Sequence, residues 1–239
     1  MELKVLASGS TGNCYILQND SEALILEAGV PYIEVLRALK TKNVVGCLVT
    51  HEHKDHSKYV KDYLNHAVKV NMTAGTLHAL DDIGAITLPL LIEQGGTLRI
   101  GGFDVKCFAT VHDAAEPVGF LIRHQETGKI VFATDTQYLP CRFSNIETLM
   151  VECNYHEAIL QGRDIPQSLK NRIRDAHMGL DACIEAVTMT APKQRVVLLH
   201  VSEGNGDPEL FQKQVALNTP SLVSVAKPGL EIDINEIPF

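Results

Sequence analysis

The chain lacks the features that would assign it to several special classes of protein. None of its apolar runs reaches the roughly 18 residues that a membrane-spanning helix requires, and Met1–Lys4 is not followed by the apolar stretch of a signal peptide. Its six cysteines form no C-x-x-C pair, which argues against a disulfide framework. These absences predict a protein that works in the reducing cytoplasm, without a membrane partner.

The chain also lacks an excess of positive charge. Its 21 Lys and Arg residues are outnumbered by 29 Asp and Glu residues, so the formal net charge is −8. This balance argues against a uniformly basic nucleic-acid-binding protein. A local basic patch beside a metal centre remains compatible with it, because two divalent ions would add about four positive charges that the formal count omits.

No internal repeat, low-complexity tract or Pro/Gly/Ser-rich linker divides the 239 residues. Strand-like and helical runs alternate in two roughly similar halves, and the runs between 97 and 134 have the short turns of a β-meander. We expect a single α/β domain over residues 1–239. The expected architecture is an αββα sandwich, in which two mixed β-sheets pack face to face and helices cover both outer faces. Helices are predicted over 31–40, 57–65, 75–80, 180–190 and 208–217.

The most informative segment is His51–His56, which reads H-x-H-x-D-H and follows the strand-like run 44–49. So many imidazole and carboxylate groups at one strand end are costly to desolvate unless something binds them. A divalent cation would do so, because imidazole nitrogen and carboxylate oxygen are good zinc ligands. The alternative is a cluster of buried histidines that hydrogen bonds satisfy one by one.

Further donors follow three apolar runs elsewhere in the chain. His112 follows the run 108–111, Asp135 follows 131–134, and His200 follows 196–199. Core packing does not require a polar residue just past each strand. A pair of ions about 3.5–4 Å apart needs more ligands than one short motif supplies, and these residues would provide them.

These motifs, in this order, resemble those of the metallo-β-lactamase-fold hydrolases, and the resemblance extends over nearly the whole chain. It implies two divalent ions, with Zn²⁺ as the first expectation and Mn²⁺ or Fe as alternatives. It also implies a hydroxide that bridges the ions and attacks the substrate. The implied ligands are His51, His53 and His112 for the first ion, Asp55, His56 and His200 for the second, and Asp135 between the two.

Finer matches resemble the small bacterial YycJ/WalJ-like proteins, which are relatives of nucleases such as ribonuclease Z. They are the segments 6–14, 112–120, 133–136, 152–156 and 199–203. This resemblance implies phosphodiester hydrolysis, with DNA exonuclease action as its most specific form, and a nucleic acid or other phosphodiester as substrate. One departure is Glu27, which stands where the superfamily usually has an aspartate that supports the histidine loop.

His177 is the candidate for a second catalytic group beside Asp135, because a phosphodiester's leaving oxygen must be protonated or stabilised. By resemblance to ribonuclease Z-like enzymes, it would act on the scissile phosphate; the alternative is a helix cap or a surface residue. Just before it, Lys170, Arg172 and Arg174 alternate along the chain. If extended, they would share one face and could hold a phosphate backbone; the alternative is a solvated loop.

Two other functions remain open from the sequence. One is hydrolysis of a small carbonyl substrate such as a lactone, a thioester or a β-lactam. The other is a non-catalytic binding protein that keeps its metal for structure. Only 64 residues separate Asp135 from His200, where larger nuclease relatives carry an inserted cap. We therefore expect no cap domain and an open cleft.

Overall fold

The structure is a computed structural model that describes residues 1–80, 83–85 and 87–236. In these ranges the strands are β1 (Glu2–Ala7), β2 (Cys14–Gln18), β3 (Ala23–Leu26), β4 (Val44–Leu48), β5 (Val70–Met72), β6 (Leu90–Leu91), β7 (Thr97–Ile100), β8 (Phe103–Ala109), β9 (Val118–His124), β10 (Gly128–Ala133), β11 (Thr148–Glu152), β12 (Arg195–Leu199), β13 (Leu222–Val225) and β14 (Glu231–Asp233). The helices are α1 (Tyr32–Ala38), α2 (Lys54–Ser57), α3 (Val60–Asn65), α4 (Ala74–Ala79), α5 (Glu157–Gly162), α6 (Gln167–Ala176), α7 (Leu180–Thr190) and α8 (Pro208–Ala216).

The strands form two seven-stranded mixed sheets. The first has the order β14-β1-β2-β3-β4-β5-β6, and the second has the order β13-β12-β11-β10-β9-β8-β7. Strands β7 to β10 pair antiparallel in succession, which confirms the predicted meander. Strands β10 to β13 then pair in parallel. This change from antiparallel to parallel pairing also occurs in the first sheet, at β3 and β4.

Three apolar clusters hold the layers together. The central cluster lies between the two sheets and includes Tyr15, Phe120 and Phe132. A second cluster packs the first sheet against residues of α1 and α3, and a third packs the second sheet against α7 and α8. In β8 burial alternates from residue to residue between Phe103 and Cys107, as expected when one face of a strand lies on the core. The predicted αββα sandwich is therefore confirmed.

The sheets bring several strand ends to one edge. Because β10, β11 and β12 are parallel neighbours, the residues that end or follow them meet there. Two of these residues, Asp135 and His200, have left-handed backbone conformations with φ of 44° and 52°, and Glu27 after β3 has φ of 69°. Such conformations are uncommon outside glycine and concentrate at functional sites.

The helix predictions differ from the structure mainly around the histidine motif and before His177. The helix predicted over 57–65 is divided into α2 and α3, because α2 begins inside the motif at Lys54. The helix predicted over 180–190 has the observed bounds of α7. Helices α5 and α6 were not predicted. No helix within the described ranges has both the length and the apolarity to cross a bilayer.

Candidate metal centre

The first group of donors lies just beyond β4 and β8. His51, His53 and His112 each offer a ring nitrogen, and these atoms lie within 4.8 Å of one another. Nε2 of His112 is 3.1 Å from Nδ1 of His53. The loop that carries the first two residues therefore faces the loop after β8 across the two sheets. This is the set that the family resemblance assigned to a first ion.

The second group combines the end of the motif with two strand ends of the other sheet. Asp55, His56, Asp135 and His200 offer atoms that also lie within 4.8 Å of one another. The Oδ2 atom of Asp55 is 3.2 Å from His56 Nε2 and 3.1 Å from His200 Nε2. All seven residues that the sequence analysis selected are thus brought to one place.

Asp135 lies between the two groups. Its Oδ2 atom is 3.5 Å from His112 Nε2 in the first group and 3.4 Å from His56 Nε2 in the second. The side chain is buried, and its pKa lies well below the usual value because the neighbouring His200 and His56 outweigh the effect of burial. A carboxylate in this position can contact two cations at once.

The tautomers set by surrounding hydrogen bonds fit a cation. Thr50 Oγ1 donates to Glu27 Oε1 over 2.6 Å, so its oxygen can only accept from His51 Nδ1, 2.9 Å away. His112 Nδ1 likewise donates to Ala176 O over 2.6 Å. Both rings therefore turn an Nε2 lone pair toward the cluster. His51 Nε2 is buried and has no hydrogen-bond partner among the described residues, as expected of a metal ligand.

The pKa values of the histidines in the cluster also indicate a site for a cation. Burial holds the pKa of His51 well below its usual value. His56 is equally buried, but the carboxylates Asp135 and Glu27 outweigh burial and raise its pKa well above the usual value. Burial opposes charging of His200 too, yet Asp135 and Asp55 outweigh burial and raise its pKa to about 10. Excess negative charge at this end of the cluster thus demands a cation or a proton.

Glu27 supports the histidine motif without joining either group of donors. Its carboxylate is fully buried, accepts from the Thr50 hydroxyl and backbone N–H, and lies 3.5 Å from His56 Nδ1. Through Thr50 it also fixes His51. One carboxylate therefore orients a histidine of each group, which is the supporting role that the sequence analysis gave to this position.

Two buried amides also support the second group and were not selected from the sequence. Asn13 Nδ2 lies 3.3 Å from Asp55 Oδ2 and 3.1 Å from His56 Nε2. Asn154 Nδ2 lies 3.0 Å from His200 Nδ1. Asn13 comes directly before β2 and Asn154 comes shortly after β11. Asparagine is so common in loops that these positions alone do not identify the two residues.

His177 lies beside the second group, directly after α6 and three residues before α7 begins at Leu180. Its ring stacks on that of His200 with centroids 5.6 Å apart. Nδ1 is 2.7 Å from Oε1 of the fully buried Glu152. Burial lowers the pKa of His177, but Glu152 outweighs burial and raises it above the usual value. Glu152 was not selected from the sequence. Its position was an available signal, because it ends strand β11 and several of the selected ligands also come just after strand ends.

The prediction that Lys170, Arg172 and Arg174 form an extended row is wrong, because these residues lie in α6. Residues two apart in a helix do not share a face, so Arg172 points away from the other two. Lys170 is buried and its Nζ donates to Gln161 O over 2.7 Å.

The two arginines of this helix are also paired. Arg174 binds both carboxylate oxygens of Glu157, at 3.1 and 2.8 Å. Arg172 donates to Asp113 over 2.8 Å and is 64% exposed. The apolar residues Leu169, Ile173 and Ala176 have the spacing of a helix, and this pattern could have predicted α6. That any of these three cations contacts the substrate stays a prediction. The three side chains do not share the face on which that prediction depended.

Comparison with known proteins gives consistent matches. The model of the β-lactamase superfamily domain matches residues 31–201. Exodeoxyribonuclease YycJ of Bacillus anthracis is 30% identical over 233 residues, covering 90% of this chain and 88% of the relative. Exodeoxyribonuclease WalJ of Streptococcus pneumoniae is 26% identical over 225 residues, covering 86% and 83%.

Solved structures share the fold at low sequence identity. The metallo-β-lactamase fold protein YhfI of Bacillus subtilis superposes with a TM-score of 0.77 at 14% identity, covering 97% of this chain and 99% of that one. The short form of human tRNase Z superposes with a TM-score of 0.70 at 14% identity, covering 98% and 99%.

Proposed function

Because this chain belongs to the β-lactamase superfamily and is a hydrolase of the metallo-β-lactamase fold, we propose that it is a two-metal phosphodiesterase that degrades nucleic acid, specifically a DNA exonuclease. Its curated relatives from Bacillus anthracis and Streptococcus pneumoniae bear the name exodeoxyribonuclease and match most of the chain. The observation that carries the proposal is the pair of Glu152 and His177 beside the seven metal-type donors. Hydrolysis of an ester with a poor leaving group requires such a proton donor.

In this proposal the two groups of donors each hold one divalent ion. Zn²⁺ is the expected ion, with Mn²⁺ or Fe as alternatives, since ligand type biases the choice without fixing it. Such ions supply Lewis acidity, which makes a water molecule more acidic and offsets negative charge at the reacting phosphorus. His51, His53 and His112 would hold the first ion, Asp55, His56 and His200 would hold the second, and Asp135 would contribute its carboxylate to both.

The chain's own contribution to the chemistry is a positioned proton. His177 donates Nδ1–H to Glu152, so its ring is held in one orientation against the second group of donors. Among the described residues no protein group bonds to His177 Nε2, which is free to protonate the leaving oxygen of the scissile ester. Glu152 is held in turn by the backbone N–H groups of Thr136 and Met178. It therefore acts as a positioning residue for His177.

An open cleft and a single domain belong to the same proposal. The residues between Asp135 and His200 form β11, β12 and helices α5 to α7, which are parts of the sandwich. A cleft without an inserted cap suits the end of a polymer better than a small molecule. A cytoplasmic location also stays a prediction.

The test compares His177→Ala with the wild-type protein, each loaded in parallel with Zn²⁺ and Mn²⁺. We expect the wild-type protein to shorten end-labelled DNA and to hydrolyse bis-p-nitrophenyl phosphate. His177→Ala should keep its metal content, measured by plasma mass spectrometry, and lose roughly 10²- to 10⁴-fold in the rate at which it shortens DNA. His66→Ala is the matched control, because His66 lies on α3 at its C-terminal end and is half-exposed.

Two results would contradict the proposal. Turnover of lactones or thioesters with no cleavage of phosphodiesters would assign the centre to small carbonyl substrates. Stoichiometric metal binding with no hydrolysis of either class of substrate would indicate a non-catalytic binding protein.

A further inference from the structure

A basic surface lies on the outer side of the second sheet, away from the metal centre. We call it the basic face and define it by Arg99 on β7, Lys106 on β8, Arg123 on β9 and Lys129 on β10. These residues line a shallow cavity of about 450 Å³ on the protein surface. None of them belongs to the metal centre or to α6, so the proposed chemistry gives this surface no role.

Strand pairing is what brings these side chains together. Arg123 is paired with Lys129 on one side and with Asp104 on the other. Asp104 in turn pairs with Arg99, and Lys106 lies two residues further along β8 on the same face. Successive side chains of a strand point to opposite faces. The neighbours Val105 and Ile122 are accordingly buried in the central cluster, whereas Lys106 and Arg123 are exposed.

The charges of the basic face are largely free. Arg99 is within ion-pair distance of Asp104, at 3.3 Å, and both are exposed. Across the described part of the chain, no carboxylate lies within ion-pair distance of Lys106, Arg123 or Lys129. Four cations and one acid thus share this surface in a chain whose formal net charge is −8. Unpaired cations concentrated in this way produce a local positive potential that attracts phosphates.

The strands that carry the basic face lead directly to the metal centre. Lys106 is six residues before His112, and Lys129 is six residues before Asp135. At about 3.3 Å per residue, either separation is about 20 Å. The loop that leaves Asp135 passes the exposed Arg142 and reaches Ser144, whose carbonyl accepts from Lys129 Nζ over 3.4 Å. A further cation therefore lies on the way from one site to the other.

We propose that the basic face binds the phosphate backbone of the nucleic acid whose end lies in the metal centre. The inference rests on the proposed nuclease function and adds the region of substrate beyond the scissile bond. At 3.4 Å per base step, 20 Å corresponds to about six steps of duplex. A substrate longer than this reaches both sites, while a shorter one reaches only the metal centre.

The test is the double variant Lys106→Gln/Arg123→Gln in full-length protein that also carries His177→Ala, so that DNA is bound without being degraded. Anisotropy of a labelled 30-base-pair duplex is recorded across a salt titration. Each phosphate contact contributes about 0.9 to the slope of log K against log salt. We expect the slope to fall by about 1.8 and the affinity at 0.1 M salt to fall roughly 60-fold.

The matched control is Lys69→Gln/Lys213→Gln, which removes the same charge from exposed positions before β5 and on α8. It should lower the affinity by less than about twofold, because the removed charges lie outside the DNA contact. The same pair of measurements on a short duplex, the four-base-pair stem of a DNA hairpin, should show no difference between the two double variants. Thermal denaturation verifies that both are folded.

The two inferences fail in different ways. Equal affinity of the double variant and the control for the long duplex would overturn the basic face while wild-type cleavage of DNA still supports the nuclease. An equally large loss of affinity for the short duplex would also overturn the proposed role of the basic face. A wild-type protein that neither binds nor cleaves DNA would overturn both.

Discussion

Nδ1 of His177 lies 2.7 Å from Oε1 of Glu152, whose other oxygen accepts backbone N–H groups from Thr136 and Met178. The carboxylate therefore fixes the imidazole and favours its protonated form. Glu152→Gln should reduce phosphodiester cleavage by roughly 10- to 100-fold, as outer-sphere substitutions at metal sites do. The reduction should be smaller than that of His177→Ala.

Steady-state rates between pH 5 and 9 check this prediction. Because the carboxylate raises the pKa of His177, its loss should move the decline in activity at high pH to a lower pH. Glu147→Gln is the control, since Glu147 is a buried carboxylate that pairs with Lys193 instead of a histidine. An unchanged pH profile in Glu152→Gln would show that the contact has only a structural role.

Glu27→Asp tests whether the longer side chain is required for support of the histidine motif. The shorter carboxylate cannot keep both the bond to Thr50 and the approach to His56 without a backbone shift. We expect metal affinity to fall roughly 10- to 100-fold at one or both ions. Competition with a chromophoric chelator measures the two affinities, and Glu22→Asp serves as the control. An equal affinity would mean that the loop adjusts to aspartate.

Gly29→Ala should strongly destabilise the protein, because a Cβ atom there would lie 2.0 Å from the backbone oxygen of Asp55 and 2.4 Å from Asn13 N. Backbone atoms cannot rotate away as a flexible side chain does. The expected loss is about 3 kcal/mol, which lowers Tm by about 6–12 °C in a domain of this size.

Gly162→Ala is the counterpart, because nothing lies within 4 Å of its would-be Cβ atom and it ends α5. It should leave stability unchanged or raise it by up to about 1 kcal/mol. Differential scanning calorimetry compares the two variants. A similar Tm for both would show that the segments at Gly29 and Asp55 move apart readily.

Removal of divalent ions with a chelator should lower Tm. The buried carboxylate Asp135 would then lack a compensating divalent cation, and the histidines around it would lose the ion that accepts their nitrogen lone pairs. With free metal at about 100 times its Kd, binding contributes about 2.7 kcal/mol, or about 5–10 °C in Tm. Scanning fluorimetry before and after re-addition of Zn²⁺ or Mn²⁺ measures the effect. A Tm that chelation leaves unchanged would argue against a metal linked to folding.

Local patterns in the sequence predicted most of the fold. Alternating burial in β8 and the turn residues between β7 and β10 determine the meander, and both signals are local. The family resemblance drawn from the motifs was confirmed by the matching domain model and by the YycJ relative. Helix α6 was missed because its charged residues suggested an extended row, although its apolar residues have helical spacing.

The sequence by itself determined which donors the chain carries and that they follow strands, because residue type and hydrophobic periodicity are properties of short segments. Only the tertiary structure decided that Glu27 holds a histidine of each donor group, that Glu152 holds His177, and that four cations share one outer face. These relationships depend on which strands become neighbours and in what register. Pairing of that kind joins residues far apart in the chain, so no local pattern contains it.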